Sequence, residues 1–130
     1  MEWNLLSDVP SQALAAALRG AAARHKALAN NVANVDTPGF IRTDVEFEGA
    51  LASALQRARR APRRTAEAFS ALPLQPRRDR SVFARADGNS VDIDREMVAL
   101  ARNALRYQAA SEALSARIRM LRSAIQQGRR

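Results

Sequence analysis

Apolar and small residues fall into two regular series, one near each end of the chain. The first is Leu14, Leu18, Ala21, His25, Leu28, Val32 and Val35, spaced alternately by four and three. The second is Ile93, Met97, Leu100, Ala104, Tyr107, Ser111, Leu114, Ile118, Leu121 and Ile125, with the same spacing. Alternating steps of four and three mark the buried seam of a helix that packs along a partner helix. The pattern therefore predicts a mainly α protein. An N-terminal coiled-coil helix is expected within residues 1–36 and a C-terminal one within 92–127, with a turn, an extended segment and an Arg/Pro-rich loop in 37–91. Pairing the terminal helices side by side or antiparallel covers both seams most simply. The second helix, about 54 Å long, is longer than the first. Part of its seam is then expected to stay uncovered by its own chain.

Local signals place the ends. Asp8 or Ser11 is suited to cap the first helix, with Pro10 in its first turn. Trp3, Leu5 and Leu6 form an apolar cluster before it. Gly20 weakens that helix by about 1 kcal/mol relative to Ala. The stretch Ala29-Asn30-Asn31-Val32-Ala33-Asn34-Val35-Asp36-Thr37-Pro38-Gly39-Phe40 stops it. Pro38 pushes its predecessor out of the α region, Gly39 permits a positive φ, and Asn and Asp bond readily to nearby backbone. Residues 40–47 alternate crudely and predict an extended segment, and 49–61 predict a short helix. Residues 59–80 hold Pro62, Pro73 and Pro76 among seven arginines. Little there is suited to a core, so a mobile or partner-ordered loop is expected. Asp87-Gly88-Asn89 predicts a turn, and Asp92 or Asp94 a cap for the last helix.

Composition sharpens this picture. The chain has 130 residues, 28 of them alanine, with one Trp, one Tyr and four Phe, so its core is thin and helix-based. Alanines lie all round both helices. They are explained equally by helix propensity and by close neighbours on several sides in an array of subunits. The formal charge of +8 is uneven. Residues 56–85 carry nine basic and two acidic groups, whereas residues 1–55 carry four and six.

Candidate chemistry is sparse. Zero cysteines and one histidine exclude disulfides, thiolate metal sites and multi-histidine sites. No apolar run reaches transmembrane length, and the N-terminus lacks the basic and apolar regions of a cleaved secretory signal. Asp87, Asp92, Asp94 and Glu96 form an acidic cluster, which a turn and a helix cap explain more simply than a cation site. His25 has no nucleophile or acid partner nearby in the sequence and reads as packed or interfacial. The arginine-rich loop has the charge to hold nucleic acid, but only Phe69 and Phe83 are at hand for base stacking. No enzyme, cofactor or metal is expected.

The stretch 29–40 resembles the N-terminal motif of the axial proteins of the bacterial flagellum, the rod and hook family. Residues 87–97 and Asn103-Ala-Leu-Arg-Tyr-Gln108 resemble the start of the C-terminal helix in the short, proximal rod subunits. The resemblance covers about residues 12–58 and 86–126 and leaves out the Arg/Pro-rich middle. It implies a structural subunit that polymerises through its terminal helices into the drive shaft between the membrane ring and the distal rod and hook. It also implies export by the flagellar type III apparatus, without a cleaved signal, to a periplasmic rod. The implied partners are further copies, other rod proteins, the rod-to-ring adaptor, the membrane ring and, during secretion, the export gate. No nucleic acid is implied. The seam residues Leu14, Leu18, Leu28, Val32, Val35, Ile93, Met97, Leu100, Tyr107, Leu114, Ile118, Leu121 and Ile125 would form contacts within or between subunits. Asn30, Asn31, Asn34, Asp36, Thr37, Pro38, Gly39 and Phe40 would fix the turn, and Phe47 with Leu51 matches a short export-gate element. Ser111 is either a register-setting imperfection in the seam or a tolerated small residue. The competing reading from the residues alone is a basic helical adaptor for nucleic acid or an acidic protein surface. Steep loss of binding with salt would distinguish it.

Overall fold

The computed structural model describes residues 6–128. Trp3 and Leu5 of the N-terminal apolar cluster, and the Arg129-Arg130 end, lie outside the described residues.

The first long helix, α1, spans Val9–Ala33, and the last, α4, spans Ile93–Gln127. At about 1.5 Å per residue they are about 37 and 52 Å long. Between them come a two-residue strand β1 (Thr43–Asp44), helix α2 (Glu48–Arg60), a 3₁₀ turn (Pro62–Arg64), helix α3 (Thr65–Ser70) and a two-residue strand β2 (Arg77–Arg78). The strands pair antiparallel, Thr43 opposite Arg78 and Asp44 opposite Arg77.

Helices α1 and α4 run antiparallel, and three polar rungs set their register. Near one end the Asn31 amide donates to Glu96 Oε2 (3.0 Å). Midway Asn103 Nδ2 donates to the Ala21 carbonyl (2.7 Å). At the far end Arg117 donates to Ser11 Oγ (3.0 Å) and pairs with Asp8. Asp8 stands at the N-cap of α1, and its carboxylate is turned to Arg117 instead of to the helix N–H groups. Beyond Arg117, α4 continues to Gln127, past the start of α1.

The other face of α1 carries the core. Ala16, Ala54, Ala58 and Phe69 form one buried cluster, joining α1, α2 and α3. Ala21, Ala27, Val45 and Phe47 form a second under the extended segment. Gly20 lets Phe47 lie against α1, because a Cβ there would fall 2.5 Å from ring atoms Cε2 and Cγ. The propensity lost at Gly20 is therefore exchanged for aromatic packing.

The Arg/Pro-rich stretch differs from its expectation as a loop with nothing to bury. Phe69 on α3 is 1% exposed, and Thr65 is buried with its hydroxyl bonded to the Pro62 carbonyl (2.6 Å). One aromatic among arginines was enough to anchor the segment, because alanines on α1 and α2 leave room for it. Among the described residues no helix is long and apolar enough to cross a membrane.

Candidate assembly surface and the junction that positions it

Helix C-termini leave carbonyls without partners, and a buried one needs a donor. At the end of α1, the backbone N–H of Asn34 donates to the Asn30 and Asn31 carbonyls. The Asn34 side chain donates to the Asn30 carbonyl (2.8 Å) and accepts from Thr37 Oγ1 (3.1 Å). Carbonyls of the turn that follows α1 are met from 50 to 55 residues away. The two N–H groups of Asn89 Nδ2 are shared among the carbonyls of Asn34 (2.9 Å), Val35 (3.1 Å) and Thr37 (2.7 Å), and its Oδ1 accepts from the Val91 N–H (2.7 Å). Arg85 adds a bond to the Val35 carbonyl (2.7 Å). Asn89 is fully buried.

The two turns lie back to back. The Gly39 N–H donates to the Asp87 carbonyl (2.9 Å) and the Ser90 N–H to the Phe40 carbonyl (3.0 Å). Both glycines take a left-handed backbone, φ 73° at Gly39 and 80° at Gly88. A Cβ on Gly88 would also meet Gly39 Cα at 3.3 Å. Asp36 and Pro38 are exposed and Phe40 is half-buried. Asp87 is held below the usual carboxylate range, chiefly by the Asn89 backbone N–H. The stop read in the sequence is thus one half of a two-turn clasp.

Next to the clasp is a polar junction. The Asn31 amide behaves as a strand partner for Thr43, accepting from its N–H (2.8 Å) and donating to its carbonyl (2.7 Å). Its second N–H meets Glu96, whose other oxygen accepts from Arg42 Nε (2.6 Å). Arg42 also pairs with Asp79 (2.5 Å) and lies 3.7 Å from Asp44. Asp44 and Glu48 hold Arg24, whose guanidinium lies 5.1 Å from the Phe47 ring centroid. Burial opposes the Arg42 charge, but Glu96, Asp79 and Asp44 outweigh it and push its pKa up. The same contest, won by Arg24, holds Glu48 below its usual range. The junction ties α1, the extended segment, β2 and α4 into one body.

Sequence reasoning missed Arg42, Asn89, Glu96 and Asn103 as core residues. Glu96 was absorbed into the acidic start of α4, where Asp92 alone is the cap, accepting from the N–H groups of Asp94 and Arg95. A usable signal was present: Glu96, Asn103 and Arg117 lie in a single heptad row, a polar stripe beside the apolar seam. Those residues, and not Ser111, supply the polar rungs between the helices. Among the described residues no group of three or more His, Asp or Glu side chains is gathered for a metal. Phe69 is buried, so one of two stacking candidates for nucleic acid is unavailable to a base.

The seam residues fall into two sets. On α1, Leu28 is buried, Leu14, Leu18 and Val32 are half-buried and His25 is exposed, while Val35, half-buried, lies in the turn after it. On α4, Leu100, Leu114 and Leu121 are half-buried. Ile93, Met97, Tyr107, Ile118 and Ile125 are 41, 53, 46, 37 and 46% exposed. The row facing α1 is Glu96, Asn103, Ala110 and Arg117, one residue before Met97, Ala104, Ser111 and Ile118. That rotation leaves an apolar stripe along α4. Leu105 and Met120, 69 and 62% exposed, lie on a different face of α4. Phe47 is 5% exposed and Leu51 half-buried, so the folded chain presents neither as a free recognition element.

Residues 12–40, which hold α1 and the first turn of the clasp, match the sequence profile of the family described as flagella basal body rod protein. Over most of its length the chain is similar to the flagellar basal body rod protein FlgB of several bacteria. It is 35% identical to that of Escherichia coli (strain K12), covering 86% of this chain and 89% of the relative. To that of Yersinia enterocolitica it is 34% identical, covering 86% and 90%. To that of Bacillus subtilis (strain 168) it is 31% identical, covering 91% and 94%.

Proposed function

As this chain belongs to the FlgB family of flagellar basal body rod proteins and is a structural subunit of the rod, not an enzyme, we propose that it joins the proximal rod through its terminal helices. The observation that carries this reading is the apolar stripe on α4. Each such side chain, already about half covered, contributes about 0.5–1.5 kcal/mol if a neighbour covers the rest. Five of them supply an assembly energy that the isolated chain does not use. The seam set Leu14, Leu18, Leu28, Val32, Val35, Leu100, Leu114 and Leu121 holds the subunit together. Ile93, Met97, Tyr107, Ile118 and Ile125 face its neighbours.

The neighbours in this reading are further copies, other rod proteins, the rod-to-ring adaptor and the membrane ring, in the periplasm. The chain reaches them through the flagellar type III apparatus. Export-gate recognition by Phe47 and Leu51 would precede folding, because both are covered afterwards. The clasp and junction give the reading its geometry, since they fix α4 against α1 at one end and leave the other end projecting.

The test is Ile118→Asp in a bacterium whose own rod gene is deleted. The position is 37% exposed, so the purified variant should keep its helix content and melting behaviour. Rod formation and swimming should be lost. A folded Ile118→Asp subunit that still builds rods and restores swimming would sink the reading.

A further inference from the structure

The loop between β2 and α4 holds Phe83 out into solvent. Its side chain is 98% exposed, the highest value for a large apolar residue among the described ones. The loop is fixed at both ends. Asp79 donates its N–H to the Arg42 carbonyl (2.9 Å) and accepts from the Ser81 N–H (3.0 Å). Arg85 donates its N–H to the Asn89 carbonyl (2.8 Å), inside the clasp. Phe83 is therefore presented on a braced span, residues 81–85, and meeting it costs a partner little ordering entropy.

Beside Phe83 lies a groove of about 520 Å³. Val82, Phe83, Val91 and Ile93 supply its apolar lining, and Arg85, Asp92 and Arg95 its charges. Asp92 is occupied as the cap of α4, and Arg85 is bonded to the Val35 carbonyl and paired with Asp87. Arg95 is exposed and takes part in none of the ion pairs among the described residues. It also stands in the first turn of α4, where the helix dipole opposes a cation. An aromatic knob, an apolar groove and an unpaired guanidinium thus share one surface. Ile93 belongs both to this groove and to the exposed row of α4, so the surface continues the one already described.

The charge selects the occupant. A guanidinium binds a carboxylate through paired, planar hydrogen bonds, so the groove suits an apolar side chain with an Asp or Glu close by. Helix α4 of a second copy does not provide that. Past Glu96 its one acidic residue is Glu112, which accepts from Gln108 (3.0 Å). Its neighbours along the helix surface are Gln108, Ala109, Ser115 and Ala116, none of them a large apolar residue. Building on the rod reading, we propose that this groove takes a segment of a different protein that carries a large apolar side chain beside a carboxylate. Phe83 packs against the apolar side chain, and Arg95 pairs with the carboxylate.

The test installs photoreactive benzoylphenylalanine at position 83 in a bacterium whose own rod gene is deleted. Cells are irradiated, basal bodies purified and the adduct mapped by mass spectrometry. It should join a second kind of protein, at a large apolar residue within about one helical turn of an Asp or Glu. Arg95→Glu in the same chain should cut the adduct yield severalfold, and changing the mapped carboxylate residue to Arg should restore it. An adduct confined to other copies of this chain or to lipid overturns the proposal, as does none in chains that still assemble. A yield unchanged by Arg95→Glu, or not restored by the reversal, overturns the pairing. Phe83→Ala decides the matter if the bulky probe blocks assembly. At 98% exposure the variant should keep its helix content and melting behaviour, and swimming should fall severalfold. Swimming at the parental level overturns the docking. The rod reading is judged separately by the Ile118→Asp strain. Loss of swimming there, with parental swimming of Phe83→Ala, rejects the groove alone.

Discussion

Gly20→Ala puts sequence logic and tertiary packing into direct opposition. In an isolated helix the substitution gains about 1 kcal/mol. Here the new methyl would enter the Phe47 ring, 2.5 Å from Cε2 and Cγ. Phe47 is 5% exposed, and Arg24 lies over its ring at 5.1 Å. Displacing the ring loses about 1.5–3 kcal/mol of burial and about 0.5–1 kcal/mol of cation–π attraction. Subtracting the propensity gain leaves a net destabilisation of about 1–3 kcal/mol. Gly49 is the internal control. It is also helical, and a Cβ there meets nothing within 4 Å, so Gly49→Ala should stabilise by about 0.5–1 kcal/mol. Urea unfolding followed by circular dichroism compares the two. In a Phe47→Ala background the clash is gone, and Gly20→Ala should then stabilise. A Gly20→Ala chain at least as stable as its parent, with Phe47 in place, would refute the packing argument.

Three further outcomes follow from the clasp and the junction. Asn89→Ala removes a donor to the turn that follows α1 and orphans the Val91 N–H, and should cost about 1–3 kcal/mol in urea unfolding. Amide exchange around residues 34–40 should quicken with it. Glu96→Gln leaves Arg42 short of its most buried counter-charge and should cost about 3 kcal/mol, the low end for a broken buried pair because Asp79 and Asp44 remain. Acid should also unfold the chain. In Asp8 burial is outweighed by the nearby Ser11 and the Arg117 pair, in Glu48 it is outweighed by Arg24, and Asp79 is held down first by Ser81 and then by Arg42. All three carboxylates are depressed in the fold. Their contribution is therefore complete above the ordinary values of 3.8 and 4.5 and is lost as pH falls through the lower folded ones. Melting temperature should be level near neutral pH and drop below about pH 4.5. A fall that began near pH 6 would show that some other group controls it.

Much of the fold was legible in the sequence because its signals are local. Pro38 and Gly39 stop α1 through their own backbone restrictions. Asp92 caps α4 through a bond to N–H groups two and three residues away. The four-three spacing fixes which residues are apolar along each helix, and the length difference fixes that α4 outruns α1. The order of residues 29–40 was itself enough to indicate the family.

Tertiary structure alone decided the rest. Heptad spacing marks apolar positions but not which neighbour covers them, since burial inside a subunit and burial between subunits favour the same residue types. The choice fell to Glu96, Asn103 and Arg117, whose partners Asn31, Ala21 and Asp8 lie 65–109 residues away in sequence. Desolvated polar groups must meet their partners, so these three rungs rotate α4 and turn Met97, Ile118 and Ile125 outward. Asn89 and Phe69 were illegible for the same reason. A turn residue becomes the cap of a distant helix, and a lone aromatic becomes a core anchor, only when the folded chain brings the carbonyls or the alanines to them.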